Sequence, residues 1–240
     1  MKIISLISRI SLMGLCLIPR QVIAQTLPLN SNLINFNSTP GETFLIESNA
    51  RQDYIPLSLQ FETQENLAYC GVASIVMVLN ALSIPAPKAP EWRTYHRFTQ
   101  QNLFDNSKTQ AVMTSEMVAQ GGMTLQQLGE LLASYPINVN VYYGSDVSLQ
   151  EFRQRIIDNL KQPNNFVLIN YLRHTIGQEK GGHISPIAAY HKESDRFLIL
   201  DVSRYKYPPV WVKAEDLWKA INTIDSASNK TRGFVLVSSQ

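Results

Sequence analysis

The hydrophobic pattern of this chain changes its period near residue 161, and this change limits the possible folds more than any other feature. Before it, the segments that follow Thr124 and Ser148 repeat apolar residues every three or four positions, as helices with one buried face do. After it, the apolar runs at 166–172, 184–190 and 197–202 are typical of buried strands. The pattern predicts an α+β fold in which a helical half faces an antiparallel sheet half.

Capping residues and prolines refine this prediction in the first half. Thr124 can cap one helix, and Ser148 with Glu151 forms a capping box at the start of another. An apolar helix is expected from Cys70 to a point before Pro85, because proline cannot continue a helix.

Weaker patterns cover the remaining segments. Residues 25–50, rich in Asn and Ser, are expected to form an irregular extended arm, and residues 91–120 show no clear period. The other expected elements are strands at 139–143 and 233–237 and a short helix at 214–221.

The first 24 residues differ in kind from the rest. Lys2 and Arg9 flank a short apolar region, Arg20 interrupts it, and Ala24 ends the segment. This layout predicts a cleavable signal peptide at 1–24 that is too short to span a bilayer. The 216 residues that follow, 25–240, are long enough for one catalytic domain with a substantial core.

Export follows from that prediction, either to the periplasm or out of the cell, with no membrane span left. The alternatives are a retained N-terminal segment and a lipid anchor at Cys16, which lacks the small residue that normally precedes such a cysteine. Loss of residues 1–24 removes three basic residues and no acidic one, which changes the formal net charge from +2 to −1. No basic, aromatic-interleaved patch remains, so nucleic acid is not an expected partner.

Cys70 would then be the only cysteine of an exported chain, where structural cysteines usually come in pairs. In the first turn of its helix, free backbone N–H groups and the helix dipole favour a thiolate. The amide of Gln64, with the Cys70 N–H, can stabilise the oxyanion that forms when a thiolate attacks a carbonyl. Taken alone, Cys70 is also compatible with a small buried core residue.

The sheet half supplies the partners that a cysteine nucleophile needs. His183 stands at a strand start behind a glycine pair that ends at Gly182, which leaves space for a substrate backbone. Asp201 ends the next strand, and a hairpin between the two strands would bring its carboxylate to the imidazole. Gln64, Cys70, His183 and Asp201 together predict a cysteine acyl-transfer site.

A metal site is not predicted. Outside the leader, one cysteine is too few for a thiolate cluster, and the histidines lack the close spacing of zinc ligands. These histidines are His96, His174, His183 and His191.

Several segments resemble the catalytic domain of phytochelatin synthases. They are Gln64–Leu82, the sequence His-Ile-Ser-Pro-Ile from His183, the stretch Leu198–Val212 with its Arg-Tyr-Lys-Tyr-Pro-Pro-Val-Trp run, and two short stretches at 224–225 and 230–234. The resemblance covers nearly all of the chain after the leader. It implies a papain-like two-lobe fold, with the cysteine on a helical lobe and the histidine and aspartate on an antiparallel β lobe.

The resemblance also implies roles. Cys70 would be the nucleophile, His183 the base, Asp201 its orienting carboxylate and Gln64 the oxyanion donor. The substrate would be glutathione, cleaved at its Cys–Gly bond through a γ-Glu-Cys acyl-enzyme, with weaker transfer to a second glutathione. No cofactor would be required, and heavy-metal ions would act as metal–glutathione thiolates.

Glutathione carries two carboxylates and an ammonium group, which calls for paired charges in its pocket. Arg232 and Asp225 are the candidates for the γ-Glu carboxylate and ammonium. The other candidate substrate-binding residues are Gly182, Arg173, Arg204 and Lys206, the last three being otherwise solvated surface charges.

Plant members of the family carry further cysteines that this sequence lacks, so we expect hydrolysis to exceed transfer. A general papain-like peptidase and a non-catalytic thiol protein that binds metal–glutathione complexes are the alternatives. The oligomeric state is left open, with a homodimer as one option.

Overall fold

A mixed sheet-and-helix architecture is seen in the computed structural model, which describes residues 26–240; the predicted leader at 1–24 and Cys16 lie outside the described residues. The strands are β1 (Ile34–Asn35), β2 (Ile137–Tyr143), β3 (Asn165–Leu172), β4 (Gly182–His191), β5 (Arg196–Ile199), β6 (Val210–Lys213), β7 (Ile224–Asp225), β8 (Lys230–Thr231) and β9 (Gly233–Ser239). Seven of them form one antiparallel sheet in the order β1-β6-β5-β4-β3-β9-β2, and β7 and β8 form a separate ribbon.

Helices cover this sheet on both faces. They are α1 (Thr39–Glu47), α2 (Tyr54–Leu59), α3 (Cys70–Ala81), α4 (Ser107–Val112), α5 (Ser115–Gly121), α6 (Leu125–Ala133), α7 (Leu149–Leu160) and α8 (Ala214–Ile221). Residues of α3 and α6 share one hydrophobic cluster with one face of the sheet, and residues of α7 and α8 share a second cluster with the other face.

Strand β3 shows why the strand segments of this sequence are continuous runs of apolar residues. Phe166 and Leu168 belong to the first cluster, whereas the alternate residues Val167, Ile169 and Tyr171 belong to the second. Because successive side chains of a strand point to opposite faces, a sheet covered on both faces needs apolar residues at every position. The α+β prediction is confirmed, with one refinement: β1 and β2, which precede residue 161, form the two edges of the sheet, beside β6 and β9.

The helix that begins at Cys70 is also confirmed. Its residues from Val72 to Leu79 are all fully buried, and it ends at Ala81, before Pro85. Tyr69 precedes it without a side-chain capping bond, so the N–H groups of the first turn face the site without such a partner.

Both predicted helix starts in the middle of the chain are observed. Thr124 and Gln127 cap α6 reciprocally, and Ser148 and Glu151 do the same for α7. Residues 91–120, which showed no period, contain α4 and α5.

The prediction of an irregular arm at 25–50 was wrong for 34–47. Ser38 caps α1 by accepting a hydrogen bond from the Gly41 N–H, and Pro40 lies in the first turn, where its missing N–H costs nothing. The helix is held on the sheet by Trp211, whose indole N–H donates to the Gly41 carbonyl over 3.0 Å, and by Phe44, which stacks on His191.

The strand expected at 197–202 ends at Ile199. From Leu200 onward the chain leaves the β5 ladder, although the Leu200 N–H still bonds the Pro186 carbonyl over 3.0 Å. This early exit places Asp201 beyond the strand end, where its carboxylate reaches the start of β4.

Candidate active site

Three elements bring Cys70, His183 and Asp201 together. Cys70 is the first residue of α3, His183 the second residue of β4, and Asp201 follows β5. His183 lies close enough to the Cys70 thiol to lower its pKa, and Nε2 of His183 lies 2.9 Å from Oδ1 of Asp201. The carboxylate is fully buried and the imidazole nearly so, which shields their interaction from water.

Groups from helix α3 and strand β4 act together to lower the pKa of the Cys70 thiol. Burial raises the pKa of the Cys70 thiol. The hydrogen bond and positive charge of His183, and then the backbone hydrogen bonds of Ile184 and Gly71, lower this pKa by a larger amount. The net pKa is therefore below the ordinary value of a cysteine. The thiolate is therefore stabilised by its imidazole neighbour and by the helix start.

The pKa values of the imidazole and the carboxylate also shift in the directions that favour their charged forms. Burial lowers the pKa of His183, yet the charge and hydrogen bond of Asp201 and the hydrogen bond with Cys70 raise it above its usual value. Burial raises the pKa of Asp201, but His183 and then Arg173 bring it well below its usual range. These shifts favour a thiolate–imidazolium pair beside a carboxylate that is ionised at neutral pH.

Gln64 is fixed beside the loop that carries Asp201. Its backbone N–H donates to the Val202 carbonyl over 3.0 Å, and its side-chain oxygen accepts from the Ser203 hydroxyl. One N–H of its amide donates to the Asn66 carbonyl over 2.6 Å. A side-chain amide has two N–H hydrogens, so the second one can serve as the oxyanion donor that is predicted for Gln64.

A large cleft opens beside the thiol, with a volume of about 1190 Å³. Gly182, Asp225 and Arg232 all lie in its wall, together with Cys70 and His183. These three substrate-binding candidates therefore share a cavity with the nucleophile.

Arg232 is nearly buried and only partly paired in that wall. Its Nη1 donates to the Ile224 carbonyl over 2.7 Å, and its Nη2 lies 3.8 Å from Asp225, a long ion pair. Its buried Nε has no hydrogen-bond partner within residues 26–240. Burial lowers the pKa of Arg232, with Asp225 opposing the change. A buried, unsatisfied donor in a cleft wall is suited to an anionic ligand.

Gly182 gives Arg232 its space. A Cβ atom at this position would lie 3.0 Å from Nη2 and 3.3 Å from Nε of Arg232, so the guanidinium would have to move by a few tenths of an ångström to accommodate it.

The other three candidates lie elsewhere. Arg173 is 3% exposed and forms a bidentate pair with Asp201, with Nη1–Oδ2 and Nη2–Oδ1 distances of 2.7 and 2.8 Å. Arg204 lies over the ring of Phe61, and Lys206 pairs with Glu179. The cleft wall described for residues 26–240 does not include these three cations, so their role in substrate binding stays a prediction.

Two serines of the site were missed from the sequence. Oγ of Ser185 lies 2.9 Å from Nε2 of His183, and the Ser74 hydroxyl donates to the carbonyls of Cys70 and Ile184 over 2.7 and 3.3 Å. Their spacing carried a signal: residues two apart share a strand face, and a helical serine can bond the carbonyl four residues back.

The opposite wall of the cleft was also missed. It comes from the region without a clear period and the turn after it, and it contains three methionines: Met113, Met117 and Met123. Within residues 26–240 no cluster of His, Cys, Asp and Glu suited to a metal ion is found, and no helix there is long and apolar enough to cross a bilayer.

The fold and the site together define a protein with a cysteine–histidine–aspartate arrangement of the kind used in nucleophilic acyl transfer. The family model for phytochelatin synthase matches residues 24–234, and the chain belongs to that family.

Curated relatives agree with this family. The chain is 34% identical over 208 residues to glutathione gamma-glutamylcysteinyltransferase 3 of Lotus japonicus, which is 85% of this chain and 42% of that protein. It is 33% identical to glutathione gamma-glutamylcysteinyltransferase 1 of Arabidopsis thaliana over 85% of this chain and 41% of that protein. It is 29% identical to the Schizosaccharomyces pombe glutathione gamma-glutamylcysteinyltransferase over 87% of this chain and 50% of that protein. The chain thus spans half or less of the length of these three relatives.

Among solved structures, the chain is similar to xylellain, a cysteine protease from Xylella fastidiosa. The TM-score is 0.45 at 10% sequence identity, with 86% of this chain and 92% of that chain covered.

Proposed function

We propose that this protein cleaves the Cys–Gly bond of glutathione through a γ-Glu-Cys acyl-enzyme on Cys70. The observation that carries the proposal is the Cys70–His183–Asp201 arrangement at the edge of a cleft that also contains Arg232 and Asp225. The names of the curated relatives, glutathione gamma-glutamylcysteinyltransferases, support the choice of substrate.

The chemistry follows from the positions of the groups. The Cys70 thiolate attacks the carbonyl carbon of the Cys–Gly bond, and the oxyanion is stabilised by the Cys70 N–H and the Gln64 amide. The imidazolium of His183 donates its proton to the glycine nitrogen as the C–N bond breaks. In the second half, His183 takes a proton from water, or from the α-amine of a second glutathione, as that nucleophile attacks the thioester. The C–S bond then breaks, which frees the γ-Glu-Cys product and restores the Cys70 thiolate beside the imidazolium.

The γ-Glu end is assigned to the charged wall of the cleft. The unpartnered Nε of Arg232 can donate to the α-carboxylate, while Asp225 can accept from the α-ammonium. The long separation of the two side chains suits a ligand that carries both charges on one carbon. Replacement of Gly182 by Ala is a direct check, because displacement of Arg232 should raise KM for glutathione more than it lowers kcat.

Water is expected to be the main acceptor. Transfer needs contacts that hold a second glutathione beside the thioester long enough to outcompete water. Within residues 26–240 Cys70 is the one cysteine, so no further thiolate there can position a metal–glutathione complex. The proposed main products are therefore γ-Glu-Cys and glycine, with little effect of cadmium.

One incubation tests the function. The protein is mixed with glutathione, with and without cadmium, and glycine, γ-Glu-Cys and longer γ-Glu-Cys products are resolved; Cys70→Ser is the control. Glycine release that needs Cys70 supports the proposal. Dominant cadmium-dependent oligomers would contradict the preference for water. Stoichiometric binding without glycine release would favour a non-catalytic thiol protein, and cleavage of unrelated peptides at similar rates would favour a general peptidase.

Export is the remaining part of the proposal. Mass spectrometry of the secreted or periplasmic protein should find a chain that begins near Gln25 and is alkylated once, at Cys70. Two alkylated cysteines would mean that the leader and Cys16 are retained.

A further inference from the structure

We propose that Arg173 is a positioning residue that acts on His183 through Asp201 and does not bind substrate. The inference rests on the proposed acyl-transfer function for its kinetic consequence, and on geometry alone for its structural part.

Arg173 contributes two of the donors that orient the Asp201 carboxylate. Its two terminal nitrogens lie 2.7 and 2.8 Å from the two oxygens of Asp201. Oδ1 also accepts from the Ser203 N–H over 2.8 Å and faces Nε2 of His183 over 2.9 Å. Because a bidentate pair fixes the plane of a carboxylate, the guanidinium decides where Oδ1 meets the imidazole.

The guanidinium is itself held in place. Its Nη1 also donates to the Gln178 side-chain oxygen, and it lies 5.2 Å from the ring centre of Tyr207. Arg173 follows β3 in a short turn that Gly177 closes with a φ of +83°, a conformation that favours glycine. Since Arg173 and Asp201 are both buried, loss of either partner would leave the other as an uncompensated charge.

The positive charge of Arg173 has a second effect, on the pKa of His183. The ionisable groups that face the imidazole are Cys70 from α3, Tyr171 from β3, Arg173 from the turn after β3, and Asp201 from the loop after β5. Arg173 opposes the rise in the pKa of His183 that Asp201 causes. A base whose pKa is not raised too far gives up its proton to the leaving amine more readily.

A double-mutant cycle tests the proposal. Arg173→Met and Asp201→Asn are made singly and together, and kcat and KM for glutathione are measured. Arg173→Met should lower kcat on the order of 10- to 100-fold in the wild-type background, with KM nearly unchanged. In the Asp201→Asn background the same change should have less than about a twofold effect, because Arg173 acts through Asp201. A rise in KM, or an equal loss of kcat in both backgrounds, would overturn the proposal.

A second measurement needs no substrate and stays informative if glutathione is not turned over. Alkylation of Cys70 by iodoacetate is followed against pH, since the anionic reagent reacts faster beside an imidazolium than beside a neutral ring. In Arg173→Met the fall in rate at high pH should move to higher pH, because a positive charge near His183 is lost. An unchanged profile would overturn the proposal.

Two further variants keep the test valid if Arg173→Met does not fold. The double variant removes both buried charges together, and Arg173→Lys keeps the charge but loses the bidentate geometry; Arg173→Lys should still lower kcat with little change in KM. Arg153→Met is the matched control, because Arg153 forms a similar pair with Asp195, with an Nε–Oδ1 distance of 2.7 Å, away from the cleft. It should leave the pH profile of Cys70 unchanged.

Discussion

At the scale of single residues, the candidate site is defined by the electrostatic coupling between a thiol and an imidazole. The pKa of Cys70 is lowered and that of His183 is raised, and each residue contributes to the shift of the other. A thiolate–imidazolium pair should therefore exist at pH values where a free cysteine is still protonated.

The midpoint for alkylation of Cys70 by iodoacetamide should accordingly lie below the value of about 8.5 typical of a free cysteine. His183→Gln should move this midpoint upward, because the hydrogen bond and charge of the imidazole are the largest influences that lower the thiol pKa. Rates measured from pH 5 to 10 would show the shift. Identical midpoints in the two proteins would mean that the helix start alone sets the reactivity.

Asp201 makes a second pH prediction, for stability. Its pKa in the folded protein lies well below its usual value, so the folded state binds protons more weakly than the unfolded state does. The resulting stabilisation is complete above the unfolded pKa of about 3.9, is about 1.4 kcal/mol for each tenfold difference in proton affinity, and is lost as pH falls further. Urea unfolding between pH 5 and 2 should therefore show a steeper loss of stability in the wild type than in the Arg173→Met/Asp201→Asn double variant. Parallel curves would contradict this.

Much of the residue-level chemistry could be predicted from the sequence, and the reason is local. A cysteine at a helix start and a histidine at a strand start are visible as patterns along the chain. The pairing of Arg173 with Asp201 was missed because the two residues are 28 positions apart and meet only because β5 ends early. Pairing between distant charged residues depends on where strands end, which apolar periodicity defines only within a few residues.

At the scale of elements, the alignment of α3 with β4 determines whether thiol and imidazole meet. Ser74 joins the two elements, since its hydroxyl lies within bonding distance of the Cys70 carbonyl on α3 and the Ile184 carbonyl on β4. It is completely buried.

Replacement of Ser74 by Ala should lower stability by about 1 kcal/mol, the typical net effect of one lost hydrogen bond. The same replacement should lower kcat by more than the small loss of stability would explain, because the distance between Cys70 and His183 would vary more. Ser148→Ala is a useful comparison: it removes the cap of α7 at a similar cost of about 1 kcal/mol, and neither Ser148 nor α7 lines the cleft. Equal effects of the two changes on kcat would argue against a linking role for Ser74.

The helices also show what sequence reasoning can and cannot reach. The starts of α6 and α7 were predictable, because capping boxes are local. The helix at 39–47 carried the same kind of signal in Ser38 and Pro40, but the polar composition around it suggested an arm. Its stability comes from Trp211 and His191 on distant strands, which no local pattern reveals.

At the scale of the whole molecule, the N-terminal segment 26–50 closes one edge of the sheet. It donates backbone hydrogen bonds from Leu27 to the Lys206 carbonyl and from Phe36 to the Pro209 carbonyl, over 2.8 and 2.9 Å, and accepts one at Ala50 from the Tyr190 N–H over 2.9 Å. The segment therefore belongs to the fold.

A chain that begins at residue 51 should lose at least about 3 kcal/mol of stability relative to one that begins at residue 26, because several hydrogen bonds and the packing of Phe44 disappear together. Thermal unfolding of the two chains gives the comparison. Tryptophan fluorescence should shift to longer wavelength in the shorter chain as Trp211 becomes accessible to water. Equal unfolding temperatures would show that residues 26–50 are dispensable.

The single cysteine among residues 26–240 has a practical consequence for counting functional molecules. Because Cys70 is both the only thiol of that part of the chain and the residue in contact with His183, the number of thiols that react rapidly at low pH equals the number of correctly assembled sites. A misfolded molecule would still carry a thiol, but one that reacts slowly. A stopped-flow burst of thiol modification would therefore serve as an active-site titration, and would report the competent fraction of any preparation or variant before a substrate is added.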